Sequence, residues 1–197
     1  MSVQPKQDGL KVVTGEGRLS FVHVYEPYAH DDKQDPKYSV RLLIPKVGGE
    51  ATIKALEAAI KEAIEVGKKK LWQGEVPEEL DLPIRDGDTP KIVKKYPEHA
   101  GHWYINASSD PSRKKPEVVD RGRFQILDPN DLYSGCYGRI SVGLYPFRNS
   151  GNDGVGIGLN NVQKLREGER LAGGTTADED FGDDFGDDLG DSNGLMD

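Results

Sequence analysis

Alternation of apolar and polar residues with a period of two marks most of this chain. In residues 38–44, Tyr38, Val40, Leu42 and Ile44 alternate with Ser39 and Arg41 until Pro45, which lacks the amide a ladder needs, stops the pattern. In residues 136–147 the apolar face carries Ile140, Val142 and Leu144, and the opposite face carries Tyr137, Arg139, Ser141, Tyr145 and Phe147. Val155, Ile157 and Leu159 alternate with Gly156, Gly158 and Asn160 in a last strand, where glycines on the outer face leave the backbone open to close approach. Residues 102–107 set Trp103 and Ile105 opposite His102, Tyr104 and Asn106. Residues 15–25, rich in β-branched and aromatic types and closed by Pro27, predict the first strand.

A single stretch switches to helical period. Ile53, Leu56, Ile60, Ala63 and Ile64 predict a packing helix over about residues 50–66, with Glu50 at its start, Gly67 at the C′ position and Lys68, Lys69 and Lys70 beyond it. Residues 74–95, broken by Pro77, Pro83, Gly87 and Pro90, read as a long loop or short irregular pieces. Residues 108–115 read as a basic turn, and residues 116–120 as a short edge segment. Strands separated by turns, with one helix and no repeated strand–helix alternation, predict a mainly β fold. The expected architecture is an OB-fold-like five-stranded antiparallel barrel with one long inserted helix and extended loops.

Charge changes this picture at one end. The 197-residue chain carries 26 Lys+Arg against 34 Asp+Glu, a net charge of -8, yet residues 178–197 hold nine of those acids and no base. The remaining body is therefore close to neutral. In this last stretch Asp180-Phe181-Gly182-Asp183 is followed by Asp184-Phe185-Gly186-Asp187, then by Asp188 and Leu189. Like charges and scarce apolar surface predict a disordered acidic C-terminal tail at 178–197, joined to one domain at 1–177. The regular Phe181, Phe185 and Leu189 give the tail apolar anchors that a mere solubiliser does not need. The polar N-terminus and the lack of any apolar run near membrane-spanning length predict a soluble cytosolic protein, and a single cysteine, Cys136, rules out an internal disulfide.

The residue types point to binding rather than catalysis. Flat rings stack on bases, and interleaved cations neutralise phosphates, which holds a single strand without reading its sequence. The candidate DNA-binding residues are Tyr38 and Arg41; Lys91, Lys94, Lys95 and Tyr96; Trp103 and Tyr104; Arg113, Lys114, Lys115, Arg121 and Arg123; and Tyr137, Arg139, Tyr145 and Phe147. His99 and His102 with Cys136, or Asp31, Asp32 and Asp35, lack the spacing of a zinc site or calcium loop, and His99 and His102 are read as loop and surface residues flanking Trp103. Cys136 has no nucleophile elbow around it, and the glycine-rich runs lack the following helix of a phosphate site. No enzyme, metal or cofactor is expected.

Taken together, Leu82-Pro83-Ile84-Arg85-Asp86-Gly87-Asp88, His102-Trp103-Tyr104-Ile105-Asn106-Ala107, Pro116-Glu117-Val118-Val119-Asp120, Gly135-Cys136-Tyr137-Gly138-Arg139-Ile140-Ser141 and Gly158-Leu159-Asn160-Asn161-Val162-Gln163-Lys164 give the chain its family signature. The sequence resembles phage-encoded single-stranded-DNA-binding proteins with one OB-fold and an acidic C-terminal tail. The resemblance implies sequence-tolerant binding of single strands in phage replication, recombination or repair, in the cytoplasm of the infected host, without a cofactor. It also implies that the tail competes with DNA for the groove and recruits phage or host replication proteins. Many such tails end in an aromatic residue, whereas this one ends Gly194-Leu195-Met196-Asp197. The expected contacts are therefore Asp180, Phe181, Asp183, Asp184, Phe185, Asp187 and Asp188. Two other readings stand beside it: an interaction protein or DNA mimic whose acidic tail occupies a nuclease or host factor, and an adaptor that recruits replication proteins. A nuclease using Asp31, Asp32 and Asp35 ranks last. The sequence leaves monomer and homodimer open.

Overall fold

The computed structural model describes residues 3–149 and 151–171; the acidic repeat at 178–197 lies outside them. In chain order the elements are β1 (Lys6–Asp8), β2 (Lys11–Val13), β3 (Gly17–Tyr28), β4 (Lys37–Pro45), α1 (Glu50–Lys70), β5 (Arg85–Asp86), α2 (Pro90–Lys95), β6 (His102–Ser109), β7 (Glu117–Val119), β8 (Tyr137–Asn149) and β9 (Asn152–Arg166). Five long strands close a ring, β3 to β4 to β6 to β9 to β8 and back to β3. This is the expected OB-like barrel with one revision: the β6–β9 seam is parallel and consists of the single pairing Ser108↔Gly158, whereas the other four seams are antiparallel. β1 and β2 extend the sheet beside β8, β5 adds to β6, and β7 runs parallel to β9.

The two-residue periodicity decides which side chains fill the barrel. Val40, Leu42, Ile44, Ile105, Ala107, Ile140, Val142, Leu144, Val155, Ile157 and Leu159 are all buried in one cluster. One helix covers part of it, contributing Ile53, Leu56, Ala59, Ile60 and Ala63, and Thr52 ties it to the strands by accepting from the amide of Gly15 at 3.0 Å. Burying a side chain of the Leu or Ile class is worth about 1.5–3 kcal/mol, so the alternation of these strands supplies much of the driving force for closure.

The helix is longer than its sequence signals suggest. Gly67 does not end it; α1 continues to Lys70, with Lys68, Lys69 and Lys70 in its last turn. The indole of Trp72 packs over Gly67, and a Cβ there would stand 2.5 Å from the ring. The glycine therefore serves close packing rather than chain reversal. The strand expected first, at residues 15–25, is the third, β3, preceded by the short β1 and β2, and it runs past Pro27 to Tyr28, because by then its pairing with β4 has thinned to Tyr28↔Lys37.

Candidate nucleic-acid interface

The β4–β6 register builds the outward face of the barrel. Arg41 stands opposite Asn106 and Ser39 opposite Ser108; beyond them Ser108 pairs with Gly158 and, on the next strand, Gly156 with Tyr145. Paired residues share a face, so one continuous surface crosses β4, β6, β9 and β8.

At one end of that surface Arg41 is clamped between rings. Its guanidinium carbon lies 4.6 Å from the centroid of Phe21 and 4.5 Å from that of Tyr104, with Tyr96 at 5.8 Å. Arg41 Nε donates to Asn106 Oδ1 at 2.7 Å, and Nη1 donates to Nε2 of His99 at 3.0 Å. His99, expected at the surface, has no exposed area at all; residues 85–101 fold over β4 and β6 and press it and Tyr96 against this cluster. Burial draws Arg41 below the usual guanidinium value while Tyr104, Tyr96 and Glu98 oppose the shift, and a guanidinium remains charged in any accessible range.

Phe21 is the exposed ring of the cluster. It sits where the β3–β4 register shifts between Ser20 and His23, its φ is +49°, and it meets Tyr96 edge-on at 5.3 Å. A left-handed bulge residue of this size is strained by the order of 1–3 kcal/mol, and such strain concentrates at ligand-binding positions. The ring is 38% exposed. The basic residues Lys91, Lys94 and Lys95 of α2 are exposed, and Lys95 Nζ stands 5.1 Å from the Tyr96 ring.

Further along, His23 and Tyr28 stack with centroids 4.3 Å apart and planes 10° from parallel. A cleft of about 410 Å³ beside them is lined by Tyr28, His30, Gln34, Asp35, Lys37, Ser39 and Ser108. It shares Lys37 and Ser108 with a cavity of about 790 Å³ whose walls include Arg113, Lys114 and Tyr145 and whose floor includes Gly158. The two form one groove. Tyr145 is 48% exposed and lies over Gly156, where a Cβ would come within 2.5 Å of the ring; the outer glycines seat an aromatic instead of leaving bare backbone. Among the described residues Lys37 and Arg113 form no ion pair, while Lys114 is paired with Glu117. Small residues on the floor, rings on the walls and cations at the rim, with Asp110 between Lys37 and Arg113, suit a strand with stackable bases and a phosphate backbone.

Several of the other sequence-predicted residues stand elsewhere. Trp103 pairs with Ile44 and packs against the core, because its position on β6 shares the side of Ile105 and Ala107. Tyr104 is buried beneath Arg41 and acts as support. Lys115 lies 5.9 Å from both Tyr25 and Tyr38, away from the open floor; Tyr25 donates to the carbonyl of Ile126, and burial first, then Asp131 and Asp128, pushes its hydroxyl up to about 12. Tyr137 is covered by Arg166 at 3.6 Å, Arg139 Nε is bonded to Gln163 Oε1 at 2.6 Å, and Phe147 packs on Gly154. Asp31 is spent on a turn, accepting from the amide of Lys33 and the side chain of Gln34. Conversely, Phe21, His23, Tyr28 and Lys37 belong to this face although they are not among the sequence-predicted site residues, and His99 supports it from beneath. Only the aromatic run before Pro27 hinted at the first two.

An OB-like barrel whose groove crosses its second and third strands, with rings and cations along it, defines the class of single-strand-binding proteins. Residues 10–191 match the family model described as "Enterobacter phage Enc34, ssDNA-binding protein", and the chain belongs to that family. A curated relative, "Putative protein p50" of Acyrthosiphon pisum secondary endosymbiont phage 1, is 32% identical over 181 residues, covering 88% of this chain and 94% of the relative. The solved single-stranded DNA-binding protein of bacteriophage Enc34 is similar at 26% identity and a TM-score of 0.64, covering 91% of this chain and 98% of that one. The same phage protein in complex with ssDNA gives a TM-score of 0.71 at 24% identity, covering 86% and 98%. The gp2.5 single-stranded DNA-binding protein of bacteriophage T7 shares the fold at a TM-score of 0.59 and 16% identity, covering 98% and 99%. Among the described residues no helix is long and apolar enough to cross a membrane.

Proposed function

We propose that this protein binds single-stranded DNA without sequence preference during phage DNA replication and recombination in the host cytoplasm. Bases stack on Phe21, Tyr28 and Tyr145, and phosphates are held by Lys37, Arg113 and Lys114 with Lys91, Lys94 and Lys95 at the Arg41 end. Arg41, Tyr96, Tyr104 and His99 hold the first stacking ring in place. The observation that carries this reading is the groove that runs from Tyr28 through Lys37 and Ser108 to Tyr145, with the Arg41 clamp two residues along β4 from its Ser39 wall. The acidic tail, through Asp180, Phe181, Asp183, Asp184, Phe185, Asp187 and Asp188, competes for that groove and recruits replication proteins.

The test is binding of the full chain to single-stranded and duplex oligonucleotides over a range of salt. With about four phosphates neutralised, log affinity for single strands falls with log salt at a slope of about -3, at roughly 0.7 per contact. Equal affinity for duplex and single strand, or a flat salt dependence, would overturn the reading.

A further inference from the structure

Outside the groove, a smaller cavity of about 170 Å³ opens on the outer face of β8 and β9, lined by Arg123, Arg139, Ser141, Asn161 and Gln163 among others. No carboxylate lines it. Gln163 organises the site from both sides: its Oε1 accepts from Arg139 Nε, and its Nε2 donates to the carbonyls of Asp120 at 2.9 Å and Arg121 at 3.4 Å. One amide thus brings the strand arginine and the 120–124 turn to a common point. The turn is fixed further by Asp120, whose carboxylate accepts from the amide of Phe124 and whose carbonyl accepts from that of Arg123.

Within this turn Arg123 has a φ of 70°, an unusual conformation for a side chain this long. Its guanidinium makes no hydrogen bond or ion pair among the described residues, and Arg139 uses only Nε. Next to it Phe124 is 74% exposed on a well-bonded turn. Two arginines lining one cavity, with spare guanidinium donors, suit a phosphate diester, and an exposed ring one residue away in sequence suits its base. Asn161 lines both this cavity and the main groove, so the two are neighbours on one surface.

We propose that this cavity is a second phosphodiester subsite, where a strand leaving the groove past Asn161 is held by Arg123 and Arg139 with a base against Phe124. The proposal rests on the single-strand-binding reading above. Bound strands then continue past Asn161 along β8 and β9 beyond the groove.

The test uses the full chain and oligothymidylates of about 4 to 16 nucleotides, the span of site sizes for one OB barrel. Arg123→Gly removes the side chain and suits the left-handed backbone, so it melts no lower than the parent protein. It leaves short oligonucleotides bound with unchanged affinity and weakens long ones several-fold, with a salt slope shallower by about 0.7. Phe124→Ala weakens the same long oligonucleotides without altering the slope. Loss of affinity at every length, or at none, overturns the subsite. Failure of the parent protein to bind any oligothymidylate overturns instead the reading on which it rests.

Discussion

Nη1 of Arg41 donates to Nε2 of His99 at 3.0 Å, inside a cluster where the imidazole has no exposed surface. An arginine can only donate, so Nε2 must accept and the imidazole is neutral with its proton on Nδ1, which faces Glu98 Oε1 at 3.4 Å without the geometry of a hydrogen bond. Burial first, then Arg41, with a smaller push from His102, draws His99 below its ordinary value, against Glu98 and a backbone contact with Tyr96. A histidine basic site weaker in the folded state makes the unfolded state bind more protons, so stability is full above about pH 6.5 and falls as pH drops through the folded value.

His99→Gln keeps an acceptor for Arg41 but does not titrate. Unfolding by urea at about pH 7.5 and about pH 5 measures the difference, and the variant loses less stability on acidification than the parent. A residual loss remains because His23, also drawn down by burial, titrates in the same direction. An unchanged acid slope would show that His99 is not the proton-linked group.

Phe21→Ala removes the exposed ring of the clamp while leaving its supports in place. Stacking of a base on an aromatic is worth about 1–3 kcal/mol, so single-strand affinity falls by that amount while the melting temperature changes little. Fluorescence anisotropy with a labelled oligonucleotide and a thermal melt measure both quantities. Unaltered affinity would place the strand away from Arg41.

Gly67→Ala should raise helix propensity by about 1 kcal/mol, yet it destabilises this protein. The new methyl would meet the Trp72 ring at 2.5 Å and Cβ of Pro146 at 2.8 Å, and the indole is held by its donation to Asp153 Oδ1 at 3.1 Å. Overpacking of this kind costs about 1–3 kcal/mol, read as a lower urea midpoint, with DNA affinity unchanged because none of these residues lines the groove.

Removal of residues 178–197 tightens single-strand binding at low salt, because a tethered polyanion competes at high effective concentration. The gain shrinks as salt screens both partners. Matched titrations of the full chain and of a chain ending at Ala177 check this; identical affinities at low salt would exclude competition by the tail.

Much of this molecule was legible from residue order. Burial of alternate side chains has a period fixed by backbone geometry, so the inward faces of β4, β6, β8 and β9 could be read from Val40, Ile105, Ile140 and Ile157. The helical stripe from Ile53 to Ala63 and the separation of acid from body followed in the same way. Those are local properties, and local sequence determined them: the barrel class, one long helix and an acidic end.

What the strand pattern could not say is which outward residues come together. The bulge that turns Phe21 out of β3, the return of residues 85–101 that buries His99 beneath Arg41, and the Gln163 amide that ties the carbonyls of Asp120 and Arg121 to Arg139 all join positions far apart in sequence. Trp103 and Arg41 show the same limit: both looked exposed and functional, yet one fell on the core side of β6 and the other became the centre of a clamp. Register, bulges and barrel closure are cooperative outcomes of the whole core, and they decided the site because only closure brings strands of distant sequence onto one face.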